Sequence, residues 1–184
     1  MLNTVYEILV GIVAFIPALA ANPGAVLAGG KGRMDLGKNF IDGKRIFGDG
    51  KTVSGYIGGI LLGAFFGFIV YIPLSYFSLF PYDPGYIYLL FASLVLSWGS
   101  LTGDLLGSFT KRRMGIEKGQ KGNIVDMWPF VLVAFLFSFI FTPGFFLSLY
   151  GNFIDIILIL ILTPVLHRSV NIIAYRMKLK DVPW

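Results

Sequence analysis

Gly103–Asp126, GDLLGSFTKRRMGIEKGQKGNIVD, joins two long apolar runs and places an aspartate at each junction, Asp104 and Asp126. Between the two lie five basic residues (Lys111, Arg112, Arg113, Lys118, Lys121) and four glycines (Gly107, Gly115, Gly119, Gly122). An acidic side chain inside or beside hydrocarbon is costly without a partner and marks a functional site by default. Two carboxylates flanking a basic, glycine-rich loop predict a carboxylate-held metal ion facing a phosphate. The alternative for each is a salt bridge to a nearby Lys or Arg, and an aspartate that starts a helix, as Asp126 does, is also a good cap.

The rest of the chain places that stretch in a membrane. Of 184 residues, 56% are hydrophobic and only 14% charged, against roughly 25% in a typical soluble protein; mean hydropathy is +0.77. The length suits one domain, 1–184. No cysteine is present, which excludes a disulfide scaffold and thiolate metal or redox chemistry, and the single histidine, His167, excludes a multi-histidine metal cluster. The net charge of +5 is confined to short segments between apolar runs. Anionic headgroups, phosphates or topology therefore explain it better than nucleic acid.

Five apolar runs are long enough to span about 30 Å of hydrocarbon, at about 5–27, 55–80, 86–106, 127–147 and 153–173. The first has no positive charge before it and reads as a span, not a secretory signal peptide. Pro17 is expected to bend it and Asn22-Pro23-Gly24 to interrupt or end it, with Asn22 lining a polar cavity if the break is internal. In the second, Gly55, Gly59, Gly63 and Gly67 recur every four residues, a face another helix can approach closely, and Pro73 is expected to kink its far end. A Pro143-Gly144 break falls in the fourth run; Asp155 opens the fifth as a cap or interface residue. His167 beside Arg168 reads as interfacial, not as a general base.

All fifteen basic residues fall in loop 29–54, in loop 107–126 or in the stretch from Arg168 onward. The positive-inside rule then predicts an all-α polytopic membrane protein of five transmembrane helices, N-terminus outside and C-terminus cytoplasmic, with two basic cytoplasmic loops forming the active-site face. Phe40, Ile41, Ile46 and Phe47 are expected to anchor the first loop.

That first loop contains Gly48-Asp49-Gly50-Lys51-Thr52, close to a phosphate loop, but the pattern G-x-x-x-x-G-K-[ST] needs glycine where Arg45 stands and a preceding strand that is missing. A P-loop NTPase is excluded. The fragment's physics remains: the backbone N–H groups around Gly48 and Gly50, with Lys51 and Thr52, suit an anion, or else simply start a helix. Lys44 with Arg45, and Lys111 with Arg112, are cation pairs able to neutralise a polyphosphate. Asp104 and Asp126 with phosphate oxygens and water would form the all-oxygen shell Mg²⁺ prefers. A basic, metal-bearing pocket at a membrane face suits nucleotidyl or phosphoryl transfer to a lipid, and a lipid phosphate needs no general base to attack.

Asn22-Pro23, DGKRIFGDGKT from Asp42 to Thr52, GDLLGSFTKRR from Gly103 to Arg113 and GNIVD from Gly122 to Asp126 together resemble the CDP-archaeol synthase family, over nearly the whole chain. Ser108, Lys111 and Arg112 also match the S-x-x-K-R portion of the broader phosphatidate cytidylyltransferase signature. Thr110, Glu117-Lys118 and Met127 depart from that signature and favour the archaeal branch.

The resemblance implies Mg²⁺-dependent transfer of CMP from CTP to 2,3-bis-O-geranylgeranylglycerol 1-phosphate. It implies Asp104 and Asp126 as metal-linked carboxylates, with Lys111 and Arg112 beside them in the catalytic set. Asn22, Lys44, Arg45, Gly48, Gly50, Lys51, Thr52 and Gly122 would bind the nucleotide. A multi-pass cell-membrane enzyme with its site facing the cytoplasm follows, without nucleic acid and without an obligate protein partner. The motif D-G-x-x-A-R of membrane alcohol-phosphotransferases is not met, since Asp42-Gly43 starts it and the following residues fail. A small membrane transporter or structural membrane subunit with an anion-binding cytoplasmic face is the reading from a different class.

Overall fold

A computed structural model describes residues 2–117, 120 and 124–178. Its helices are α1 (Leu2–Ala14), α2 (Ile16–Ala28), α3 (Val53–Tyr76), α4 (Tyr86–Arg113), α5 (Ile124–Met127), α6 (Pro129–Phe141), α7 (Pro143–Tyr150) and α8 (Phe153–Arg176). Among the described residues, Tyr6–Ala28, Val53–Tyr76, Tyr86–Arg113 and Phe153–Arg176 are long and apolar enough to cross a membrane, and Pro129–Phe141 is a shorter apolar helix. The chain is an all-α polytopic membrane protein, and its fourth apolar run is divided between α6 and α7.

The first run breaks earlier than its prolines suggest. The turn is at Phe15, and Pro17 sits in the first turn of α2, where its missing N–H costs nothing. Carbonyls released by the turn are taken up by neighbouring helices: the Tyr71 hydroxyl donates to Ala14 O (2.6 Å), and the Tyr150 hydroxyl to Gly11 O (3.0 Å). The Ser97 and Ser100 hydroxyls donate to Pro17 O (3.2 Å) and Ala18 O (2.7 Å). A second expectation is corrected: Asn22-Pro23-Gly24 neither interrupts nor ends the helix, which runs on to Ala28 with Pro23 inside it. Packing overrides the local signal, because the α2 face bearing Pro17, Ala18, Ala21 and Gly24 is buried.

That face meets the glycine stripe of α3. A Cβ on Gly59 would lie 2.7 Å from Ala21 O, and one on Gly67 only 2.2 Å from the Pro17 ring, so any larger residue would push α2 and α3 apart. The expected second span ends at Tyr76, short of residue 80: the Phe77 N–H closes on Pro73 O and Ser78 adopts a positive φ of 52°. At this end of the bundle an aromatic cluster of Phe15, Tyr71, Phe80, Phe135, Phe145 and Tyr150 fills the core.

A further boundary differs from expectation. Asp104 does not end its helix, because α4 continues to Arg113 and the following loop starts near 114 instead of 107. Three basic residues in the last turn, Lys111, Arg112 and Arg113, favour the negative end of the helix dipole. Asp155 is not the cap of α8. The Asn152 side chain accepts from the Ile154 N–H at 3.1 Å, while Asp155 is buried, with one carboxylate oxygen lacking a hydrogen-bond partner among the described residues.

Candidate active site

Three segments converge at the end of the bundle opposite the aromatic cluster. On α4, Asp104, Gly107, Ser108 and Lys111 follow the i, i+3, i+4, i+7 spacing of one helix face. Gly103 and Gly107 let the chain around α5 lie against this helix: a Cβ on Gly103 would sit 2.2 Å from Pro129 O, and one on Gly107 2.6 Å from Val125 O. Asp126 is thereby carried to α4, where its carboxylate accepts from the Lys111 ammonium. From the other side Lys51, just ahead of α3, donates to Asp104. All four side chains of these two pairs are half-buried.

Loop 29–52 is built around a residue that the motif reading passed over. Asp35, 5% exposed, accepts from the Arg45 guanidinium (2.6 and 3.2 Å) and from the backbone N–H groups of Gly37 (3.0 Å), Phe47 (3.1 Å) and Gly48 (3.0 Å). Burial alone would raise this carboxyl, but Arg45 and the three N–H groups together hold it well below the usual carboxylate range. Its hydrogen bonds to Asp35 and Asp49 in turn raise Arg45 above its already high value. The Gly48 N–H, one of the donors that resemble a phosphate cradle, thus already holds an anion, and it is the chain's own. Nothing in the sequence around Asp35 distinguishes it from a solvated loop acid except the Gly two residues on, which suits an Asx turn.

Arg113 is the tie between this loop and α4. It pairs with Asp42 (2.8 Å), donates to Arg45 O (2.6 Å) and Lys44 O (3.1 Å), and lies over the rings of Phe40 and Phe109 at 5.0 and 4.7 Å. Phe40 is therefore an anchor of the loop, packed edge-on to Phe109 at 5.2 Å. Ile41 is not: it is 93% exposed.

Between loop and helix end lies a cleft of about 360 Å³ whose walls include Lys44, Arg45, Gly48, Asp49, Arg112 and Glu117. Gly48, at φ +88°, has no side chain to block Arg112, whose guanidinium comes within 3.2 Å of where a Cβ would be. Arg112 Nε is buried and has no hydrogen-bond partner among the described residues. Lys44 leans out to Arg113 O at 2.9 Å. The two lysine–aspartate pairs are not among the described lining residues of this cleft.

The remaining candidates are placed as follows. The Asn22 amide points at Ser100 Oγ (3.4 Å), one turn before Asp104 on α4. Thr52 caps α3, its hydroxyl oxygen accepting from the N–H groups of Gly55 (3.1 Å) and Gly30 (3.3 Å). Gly50 is exposed in the loop. Gly122 lies outside the described residues, as do Lys118 and Lys121.

Among the described residues no three His, Cys, Asp or Glu side chains gather as a cage for a metal ion. The donor set nevertheless fits a hard cation brought in with a polyphosphate. Asp104 and Asp126 are oxygen ligands that each already attract a cation, a lysine ammonium, and Mg²⁺ usually takes one or two carboxylates and completes its shell with water and substrate phosphates.

Residues 2–184 match the family model described as CarS-like: CDP-archaeol synthase. A CDP-archaeol synthase of Picrophilus torridus is 56% identical over 179 residues, covering 96% of this chain and 97% of that protein. One from Methanospirillum hungatei is 43% identical, over 92% of this chain and 99% of that one. A solved structure described as an intramembrane enzyme for archaeal membrane lipids biosynthesis superposes with a TM-score of 0.71 at 32% identity, covering 90% of this chain and 94% of that one. With matches of this extent, the chain belongs to the CDP-archaeol synthase family.

Proposed function

We propose that Asp104 and Asp126, with Lys51, Lys111 and Arg112, form the centre at which this enzyme transfers CMP from CTP to the phosphate of an archaeal ether lipid. The transfer itself is the activity of the family. The assignment of the centre rests on one observation. At a single end of the bundle, two half-buried carboxylates each hold a lysine, beside an arginine whose Nε has no partner among the described residues.

The lipid phosphate is the nucleophile and pyrophosphate the leaving group, so one P–O bond forms at the CTP α-phosphate as another breaks. An anionic phosphate needs no base to attack. The enzyme's task is to bring two anions together and to stabilise the charge that gathers on the departing pyrophosphate. Arg112 and Lys44 face the cleft and bind the outer phosphates. Lys51 and Lys111 are single-point, rotatable donors, able to swing from carboxylate to phosphate as the nucleotide arrives. Asp104 and Asp126 would hold Mg²⁺, which when bound offsets phosphate charge and makes the α-phosphorus easier to attack.

Arg45 and the Gly48 N–H have a different role in this reading. Both are committed to Asp35 and shape the cleft wall. Asn22 braces α2 against α4 beside Asp104. Gly50 and Thr52 deliver Lys51 from the loop to the start of α3. The lipid is the specific substrate 2,3-bis-O-geranylgeranylglycerol 1-phosphate, admitted sideways from the bilayer.

We further propose that α6 and α7 together make a fifth span and that 1–184 forms one catalytic domain. The N-terminus is then outside, and both basic loops and the C-terminus face the cytoplasm, in accord with the positive-inside rule.

The test is product formation by purified protein in detergent with the lipid phosphate, Mg²⁺ and each ribonucleoside triphosphate in turn. A CDP-lipid and pyrophosphate with CTP are expected. No product with any nucleotide from folded protein would overturn the reading and favour a transport or scaffold role.

A further inference from the structure

Helix α8 carries polar side chains not used in the mechanism above. It is the least buried of the candidate spans, and Ile157, Ile161, Val165 and Ile173 are exposed along it. His167 and Asn171 stand one turn apart, with Asn171 Nδ2 3.1 Å from His167 Nδ1. Neither belongs to the exposed stripe: His167 is half-buried, Asn171 is 8% exposed, and the imidazole stacks on Phe130 with ring centres 6.0 Å apart and planes 27° apart.

Phe130 links this pair to the active centre. It lies four residues after Asp126, across the bend at Trp128 between α5 and α6, and its backbone lies against α4 at the residue before Asp104, where a Cβ on Gly103 would come within 2.5 Å of Phe130 Cα. Helix α5, which bears Asp126, also packs against α8. Depth agrees with this. Both α4 and α8 start at the aromatic end of the bundle, and Asp104 and Asn171 each stand about five turns, or ~27 Å, along their helices.

We infer that His167 and Asn171 bind the phosphate of the incoming lipid, an assignment that rests on the cytidylyltransferase reading above. Inward-facing polar side chains in a transmembrane helix generally mark a substrate path. An amide NH₂ and an imidazole N–H are both donors to phosphate oxygens. The lipid phosphate must reach CTP from the hydrocarbon side, while the cationic cleft opens toward the loops. Helix α8 offers both an apolar outer surface for isoprenoid chains and a polar pair at the depth of Asp104. The neutral Asn171 amide orients the nucleophile without cancelling the charge that makes it attack.

The experiment is steady-state kinetics of the detergent-purified enzyme. The lipid phosphate is varied at saturating Mg²⁺ and CTP, then CTP at saturating lipid. His167→Ala and Asn171→Ala are expected to raise the KM for lipid about tenfold, with the KM for CTP within about twofold of wild type. Asn171→Asp, of nearly the same shape, sets a negative charge against the phosphate and should raise the lipid KM at least as far, which keeps the idea testable if an alanine variant fails to fold. His167→Gln restores a donor and should recover most of the loss. An unchanged lipid KM in Asn171→Asp, or lipid and CTP KM values that rise together, would overturn the assignment. Wild-type enzyme that makes no CDP-lipid would sink the parent reading instead.

Discussion

Two kinds of ion pair meet at the loop end of this bundle, and they differ in which cation they use. Within the loop, Arg45 spans Asp35 and Asp49, while Arg113 joins Asp42, two backbone carbonyls and two aromatic rings. These are multi-point contacts by a rigid, planar group, and breaking one means breaking several. On α4 and α5 the carboxylates of Asp104 and Asp126 each accept from a lysine ammonium, a point charge on a flexible stem. On the assignment proposed above, Arg45 and Arg113 build the wall, while Lys51 and Lys111 hold positions that a substrate can claim. That contrast would separate scaffold from chemistry within one patch of charge, which net charge alone does not do.

The largest effect should come from the carboxylates of the lysine pairs. Asp104→Asn and Asp126→Asn keep the shape and remove the charge that holds a cation, so each is expected to lower kcat by about a thousandfold or more. Membrane insertion should be unaffected, since an amide is easier to place in hydrocarbon than a carboxylate. Measured turnover near wild type in either purified variant would take that residue out of the centre.

The lysines come next. Lys51→Ala removes a phosphate donor and leaves Asp104 without that partner; CTP binding should weaken roughly tenfold to a hundredfold, with the lipid KM little changed. Nucleotide titration checks this. An unaltered CTP affinity would place Lys51 with Arg45 and Arg113, as scaffold.

How much of this contrast can be read without coordinates depends on whether a residue's partner is near in sequence. Apolar runs and basic loops are local patterns, so the all-α membrane-spanning character of the chain and the nearness of Asp104 and Asp126 to basic residues are legible. The end of α4 is not, because Gly107 reads as a helix stop until its role as a seat for the Val125 carbonyl is seen. The same holds at Pro23, which the buried face of α2 keeps helical. Asp35 is hidden for a stronger reason: its partners Arg45, Phe47 and Gly48 come back to it only after the loop has folded. The phosphate-loop resemblance of residues 48–52 misses that its first N–H, that of Gly48, already donates to the chain's own Asp35.

Asp35 gives the sharper form of the comparison. Asp35→Asn loses the charge in several hydrogen bonds and should cost about 2 kcal/mol of stability, raising the KM for CTP several-fold through the cleft wall while leaving kcat nearly intact. Its pH dependence has a definite sign. The carboxyl is held well below the ordinary carboxylate value of about 4, so its contribution is complete above that value and is lost only as pH falls through the lower, folded one. The stability gap between wild type and Asp35→Asn should therefore be constant from pH 5 to 8 and narrow only in strong acid. A gap that changes within the neutral range would mean that Asp35 does not carry its charge in the way the geometry requires.

The smallest effect on activity belongs to Ile41→Cys, and it tests which side of the membrane both kinds of pair occupy. Ile41 is 93% exposed at the tip of the arginine-built loop and makes no part of the cleft wall described above, so the variant should turn over like wild type. The chain has no native cysteine, which makes this thiol a unique label. A membrane-impermeant maleimide should leave it unmodified in intact cells and react with it once the membrane is opened. CTP is made and used inside the cell, so a centre that reads it there needs its arginine wall and its lysine pairs on that same face. Labelling from outside intact cells would invert the topology and, with it, separate the basic loops from the nucleotide they are argued to bind.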